Sequence, residues 1–182
     1  MDKKTKLIIT GIYEDEIYNL AKYLCTIDDN LSITPIFVSS DNEIQSENYY
    51  VLDTKTIHLA FKNNALLYIK TDDNMSKGIT IDDFYNNDIS YMTIDEFNNI
   101  PNTAFNIDEF DILVIWVDNN QHKVTNIKYW IDEIDVLTTR LYTDHIDYLY
   151  FLNETNDHIL DVINQFINGD EQDKKHLLIE NS

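Results

Sequence analysis

Residues 6–24 read KLIITGIYEDEIYNLAKYL: an apolar run, one glycine, and at once an amphipathic helix. A short run of Leu, Ile and Thr ahead of a glycine has the composition of a buried strand. Ile17, Leu20, Ala21, Leu24 and Ile27 then recur at helical spacing from Asp15 to Ile27. A phosphate-binding loop at such a junction needs G-x-x-x-x-G-K-[ST], because backbone N–H groups and a lysine must hold the phosphates. Here Gly11 is followed by Glu14 and Asp15, and the Gly, Lys and Ser/Thr positions hold Glu16, Ile17 and Tyr18. Three carboxylates in that place repel a polyphosphate.

Outward from this junction the chain alternates strand-like and helix-like segments. Residues 34–39 (TPIFVS) predict a second strand, with Pro35 at its start, where a missing N–H does no harm. Residues 49–52 (YYVL) predict a third. Asp53 or Thr54 can cap a helix to about Asn63, with Ile57, Ala60 and Phe61 inward. Residues 65–69 (ALLYI) predict another strand.

The stretch 71–110 is the most polar and predicts a lid-like insertion of two short helices. Each has a threonine cap with an acid three residues later, Thr80 with Asp83 and Thr93 with Glu96. Residues 112–117 (ILVIWV) are apolar on both faces, as a central parallel strand is. Ile127, Trp130, Ile131, Ile134, Leu137 and Leu141 trace a helix, and 146–152 (IDYLYFL) a last strand. A closing helix turns Ile159, Val162, Ile163 and Phe166 inward and ends at Gly169. The expectation is an α/β fold in three layers, a mostly parallel five-stranded sheet with helices on both faces. Residues 1–169 form a single domain and 170–182 a charged tail.

The 182 residues carry 33 acidic and 13 basic side chains, a net charge of −20, with Arg140 the one arginine. Nucleic-acid binding by phosphate neutralisation needs clustered Lys and Arg, and none exists. An acidic surface favours solubility and basic protein partners. No run approaches a membrane span, and MDKKTK lacks a signal peptide's apolar region. The single cysteine, Cys25, lies on the apolar side of the first helix and reads as a small hydrophobe in a reducing, intracellular setting. Ile, Asn, Asp, Tyr and Lys are abundant and Gly and Pro scarce, a bias that A/T-rich codons produce.

The order of elements resembles the guanylate kinase branch of the P-loop nucleoside monophosphate kinases, over roughly residues 5–168. The middle carries the resemblance: Val38-Ser39, Tyr49-Tyr50, the helix at 54–63, and Lys77-Gly78-Ile79-Thr80 where that family has Tyr-Gly-Thr. The closing strand–Asn–helix, with Asn153 at the asparagine, is similar too. The resemblance implies a nucleotide kinase whose phosphate contacts are gone. Asp41 and Glu43 stand near the places of the acceptor-site arginines, and the base-reading glutamate falls around residues 68–70. The arginine-bearing lid is represented by Arg140 alone.

Phosphoryl transfer is positioning plus charge neutralisation, so these losses imply a pseudo-enzyme. Its function would be that of a protein-interaction or structural module, as in a large DNA virus or its virion. No catalytic, cofactor-binding or metal residues are expected. The alternative is an active nucleoside monophosphate kinase with a divergent phosphate site, which needs Lys22, Lys70 and Lys77 to converge.

Other chemistry is outweighed. Asp72, Asn74 and Ser76 take the first, third and fifth places of an EF-hand loop, but Lys77 stands at the required glycine and Asp83 at the final glutamate. His58, His122, His145, His158 and His176 have no metal-ligand spacing. The Asp pairs at 28–29, 72–73 and 82–83 suit turns and caps, and Trp116 and Trp130 suit core positions.

Overall fold

The computed structural model describes residues 4–40, 49–68, 70–72, 75–101, 110–117, 148–152 and 159–168. The elements run β1 (Lys4–Gly11), α1 (Glu14–Ile27), β2 (Ile36–Ser40), β3 (Tyr49–Val51), α2 (Thr54–Lys62), β4 (Lys70–Asp72) and β5 (Met75–Gly78). They continue with α3 (Ile81–Asn86), β6 (Ile89–Thr93), α4 (Ile94–Asn98), β7 (Phe110–Val117), β8 (Tyr148–Leu152) and a last helix, α5 (Ile159–Asn168).

The strands form two sheets. One is wholly parallel, in the order β6-β1-β7-β8. The other is mixed, β3-β2-β5-β4, with β2 parallel to β3 and antiparallel to β5. β1 and β7 are the inner strands of the parallel sheet, as expected. Leu7, Ile8, Ile9, Leu113, Val114 and Ile115 are buried on alternating sides, so both faces of the sheet are covered. α1 packs on one face through Ile17, Leu20, Ala21 and Leu24, with the Tyr18 ring 5.3 Å from that of Tyr91 on β6. Lys6 points from β1 to the opposite face and reaches the end of α3. In α5, Ile159, Val162, Ile163 and Phe166 are buried.

The expectation of one five-stranded sheet is corrected, and the chain shows why. Beside the outer edge of β6, Ile33 makes a single parallel bridge to Ile89, and Thr34 donates its N–H to the Ile89 carbonyl at 2.7 Å. Past Pro35 the next residue placed to donate toward β6 is Ile36, and it is in register with Tyr49 of β3 instead. The chain leaves the edge there, and β2 and β3 build the second sheet.

The strand expected at 65–69 is also corrected. Leu66 makes only an isolated bridge to Thr80, and Leu67 donates its N–H to Ile79. Leu66, Leu67 and Tyr68 are apolar because they are buried, not because they extend a ladder. The two short helices of 71–110 exist as α3 and α4. The same stretch also supplies β5 and β6, and β6 is a strand of the parallel core. On α2, Ile57 is buried but Phe61, expected inward, is exposed. The helix expected at 127–141, Trp130, Asn153, Gly169 and the tail lie outside the described residues.

Candidate functional site

The connection from β1 to α1 is two residues long, Ile12 and Tyr13. Gly11 is the last residue of β1, in register with Thr93 on one side and Val117 on the other. A Cβ at Gly11 would lie 2.6 Å from the Val117 carbonyl oxygen. Close strand packing therefore requires this glycine, and its φ is not positive. The junction has no length in which to wrap a phosphate.

What occupies the junction is an ion cluster. Glu14, the first residue of α1, accepts the Tyr49 hydroxyl at 2.6 Å through Oε1 and the Lys77 ammonium at 2.8 Å through Oε2. Lys77 rises from β5 and is almost wholly buried. Its Nζ also lies 2.5 Å from Glu96 Oε1. Glu96 has no exposed surface. Its other oxygen accepts the Thr93 backbone N–H at 2.9 Å. The expected cap at Thr93 and Glu96 is thus present, and its glutamate has a second task.

One cation between two carboxylates sets the electrostatics of the junction. Burial depresses the Lys77 ammonium, but Glu96 and Glu14 outweigh it and hold it above the ordinary lysine value. Burial, the Glu14 hydrogen bond and its charge push the Tyr49 phenol well up. Tyr68 and Tyr91 are raised as well, first by burial and then by the two glutamates. The Tyr68 hydroxyl is buried without a hydrogen-bond partner among the described residues. These shifts keep Lys77 charged and the three phenols neutral near neutral pH.

Of the three lysines that a divergent phosphate site would need, two come together and the third does not. Lys70 and Lys77 are register partners across β4 and β5, and both reach the first turn of α4, Lys70 by an ion pair to Asp95 at 3.7 Å. Lys22 instead lies 5.8 Å above the Tyr18 ring. Asp41, Glu43 and Arg140 lie outside the described residues. Of the EF-hand-like positions, Ser76 is buried in β5 and bonds Thr71, while Asp83 bonds Thr80 in the α3 cap. Among the described residues no group of three or more His, Cys, Asp or Glu could hold a metal. His58 is exposed on α2, and the other histidines lie outside the described residues. Cys25 is half-buried against the core, and burial, with Asp88 and Asp28, raises its thiol. Asp28 accepts the Asn30 N–H at 3.0 Å, a turn role. Among the described residues no helix is long and apolar enough to cross a membrane.

Sequence reasoning missed a second buried cation. Lys6 lies in β1 with Nζ 2.5 Å from the Phe84 carbonyl and 2.6 Å from that of Asn87. It also stands 4.4 Å over the Phe84 ring. It satisfies the carbonyl end of α3, where a cation is favoured. Burial pushes its ammonium down to about 7, with Asp88 opposing.

No family model matches the chain, and no curated protein does. One similar solved structure is the guanylate kinase from Anaplasma phagocytophilum, at 10% identity, covering 98% of this chain and 87% of that one with a TM-score of 0.45. The likeness is weak, and the reading of the site rests on this chain's own residues.

Proposed function

We propose that the chain is a non-catalytic module of guanylate kinase-like build, acting as an interaction or structural part of an assembly. The observation that carries this is the filled junction. Where a nucleotide kinase would hold phosphate, two residues join strand to helix, and Glu14 and Glu96 already neutralise the nearest cation, Lys77. A polyphosphate entering there would have to displace a buried carboxylate and face Asp15 and Glu16. Stabilising the spread charge of a transferring phosphoryl group takes free cations and donors. Among the described residues of the junction, the cation nearest that place is already committed. The composition suits a viral or virion component, and the acidic surface suits a protein partner rather than nucleic acid or membrane.

The test is direct. Purified protein with millimolar ATP or GMP and Mg²⁺ should melt at an unchanged temperature. Incubation with Mg-ATP and each nucleoside monophosphate should give no turnover. A rate above about 0.01 s⁻¹, still far below ordinary kinases, would establish the enzyme reading instead.

A further inference from the structure

Where the chain leaves the edge of β6 at Pro35, a cavity of about 340 Å³ is lined by residues of both sheets. Tyrosines from three elements stand in its wall: Tyr18 of α1, Tyr91 of β6 and Tyr50 of β3. Asp83 of α3 and Asn87, the C-cap of that helix, face it beside Pro35.

The three rings bound the space at different depths. Tyr18 and Tyr91 have centroids 5.3 Å apart and planes inclined at 53°, so together they make a corner. Tyr91 is almost wholly buried and Tyr50 is 62% exposed, which puts one at the floor and the other at the mouth. Phe37, which does not line the cavity, packs against the Tyr50 ring with centroids 5.7 Å apart.

The charge around the cavity has one sign. Asp83 is the one charged side chain in its wall. One carboxylate oxygen of Asp83 accepts the Thr80 hydroxyl, a bond that an uncharged amide can also accept. Near the floor, Glu14 and Glu96 share the single ammonium of Lys77, which leaves a negative charge in excess. Two cations are close, and neither lines the cavity. Lys22 stands 5.8 Å from the Tyr18 ring. Lys6 lies 3.5 Å from Thr34 Oγ1 with its ammonium turned to the carbonyls of Phe84 and Asn87.

These features select among ligands. An anion would meet Asp83, and a neutral apolar molecule would leave that carboxylate without a partner. A bare metal ion needs several oxygen ligands, and the wall offers one carboxylate. An alkylated ammonium is weakly hydrated, and it is attracted by every aromatic face within about 6 Å.

We propose that this cavity binds an alkylated ammonium group, held against Tyr18, Tyr50 and Tyr91 with Asp83 as its counter-ion. The site shares no residue with the Glu14, Lys77 and Glu96 cluster and is independent of the non-catalytic reading. Such a group can arrive on a free molecule, as in choline, or on a protein, as in trimethyllysine.

The full-length protein is titrated with choline and with its neutral isostere 3,3-dimethylbutan-1-ol, following the tyrosine ring resonances by NMR. At pH 8 the Lys6 ammonium, depressed to about 7, is largely discharged. Choline should saturate and bind at least tenfold more tightly than the isostere, since the two differ only in charge. Tyr50→Ala should weaken choline at least tenfold, and Tyr50→Phe should keep the parent affinity. Tyr50 is exposed, so both variants should keep the parent melting temperature. Asp83→Asn leaves every ring in place and should weaken choline at least threefold without changing the isostere. Equal affinity for choline and isostere, no saturable choline binding, or choline binding indifferent to both Tyr50→Ala and Asp83→Asn would overturn the proposal. A short peptide with one trimethyllysine, against the same peptide with unmodified lysine, assigns the source. Binding at least tenfold tighter than choline supports the site and places the cation on a protein; weaker binding supports it with a free molecule. A preference for the unmodified lysine would overturn it.

Discussion

Lys77 Nζ lies 2.5 Å from Oε1 of Glu96, a carboxylate with no exposed surface that belongs to a different sheet's neighbourhood nineteen residues away in sequence. The pair ties β5 of the mixed sheet to α4 at the end of β6. A buried pair is costly to assemble and far more costly to break, because the remaining charge is stranded. Lys77→Met should therefore destabilise the protein by about 3–5 kcal/mol. Adding Glu96→Gln to it should recover a large part of that loss. Urea denaturation of the two single variants and the double one checks this. Additive losses would mean that the two side chains do not share an energetic unit.

Lys6 gives the protein an unusual pH dependence. Its folded-state value is near 7 and its ordinary value near 10.5. Between those two limits the unfolded chain binds the extra proton, so stability rises with pH, by up to about 1.4 kcal/mol per unit. Below 7 both states are protonated and the gain is absent. Tyr49, Tyr68 and Tyr91 are all raised in the fold, so they oppose the trend above pH 10. Cys25, raised from 9.0, begins to oppose it near pH 9. The rise should thus be seen between pH 7 and about 8.5. In Lys6→Met the stability should be flat across that interval. A parent protein equally flat there would remove the depressed amine from the account.

The sequence disclosed some elements and concealed others for physical reasons. β1, α1, β7 and α5 carry their own signals, an unbroken apolar run or a 3.6-residue stripe, and each lies where it was expected. β6 was hidden because Ser90 and Thr93 interrupt its apolar run amid polar residues, although Ser90 is buried and bonds Thr34. The 65–69 segment looked like a strand because burial, not ladder pairing, selects its residues. The ion cluster could not be read from spacing, since Glu14, Lys77 and Glu96 meet only through folding. The one available hint was the Thr93–Glu96 cap, which placed Glu96 at a helix start but did not say what its second oxygen would meet.

Gly11 and Gly78 should respond to alanine as packing glycines. A Cβ at Gly11 would press on the Val117 carbonyl at 2.6 Å, and one at Gly78 on the carbonyl of Tyr68. Neither obstacle is the end of a flexible side chain, so backbone must shift. Each substitution should cost about 1–3 kcal/mol, the range of overpacking changes in a filled interior. Thermal denaturation reads it. A Gly11→Ala protein of parent stability would mean that β1 and β7 are less closely joined than their register implies.

Glu14 separates the roles that the first turn of α1 could have. As a first-turn acid it gains from the helix dipole, about 0.3–1 kcal/mol. As a ligand of Lys77 and Tyr49 it also gains a charge-assisted pair, only partly shielded from water. Glu14→Gln keeps an acceptor for the Tyr49 hydroxyl and leaves Lys77 with Glu96. The loss should therefore be modest, about 1 kcal/mol, well under that of Lys77→Met. The variant also removes one of the charges that repel phosphate. Yet the two-residue connection remains, Lys77 stays neutralised, and Asp15 and Glu16 still face the helix start. Millimolar ATP or GMP with Mg²⁺ should leave the melting temperature of Glu14→Gln unchanged, as for the parent. A rise of several degrees in the variant alone would show that Glu14 by itself had been keeping a competent phosphate site closed.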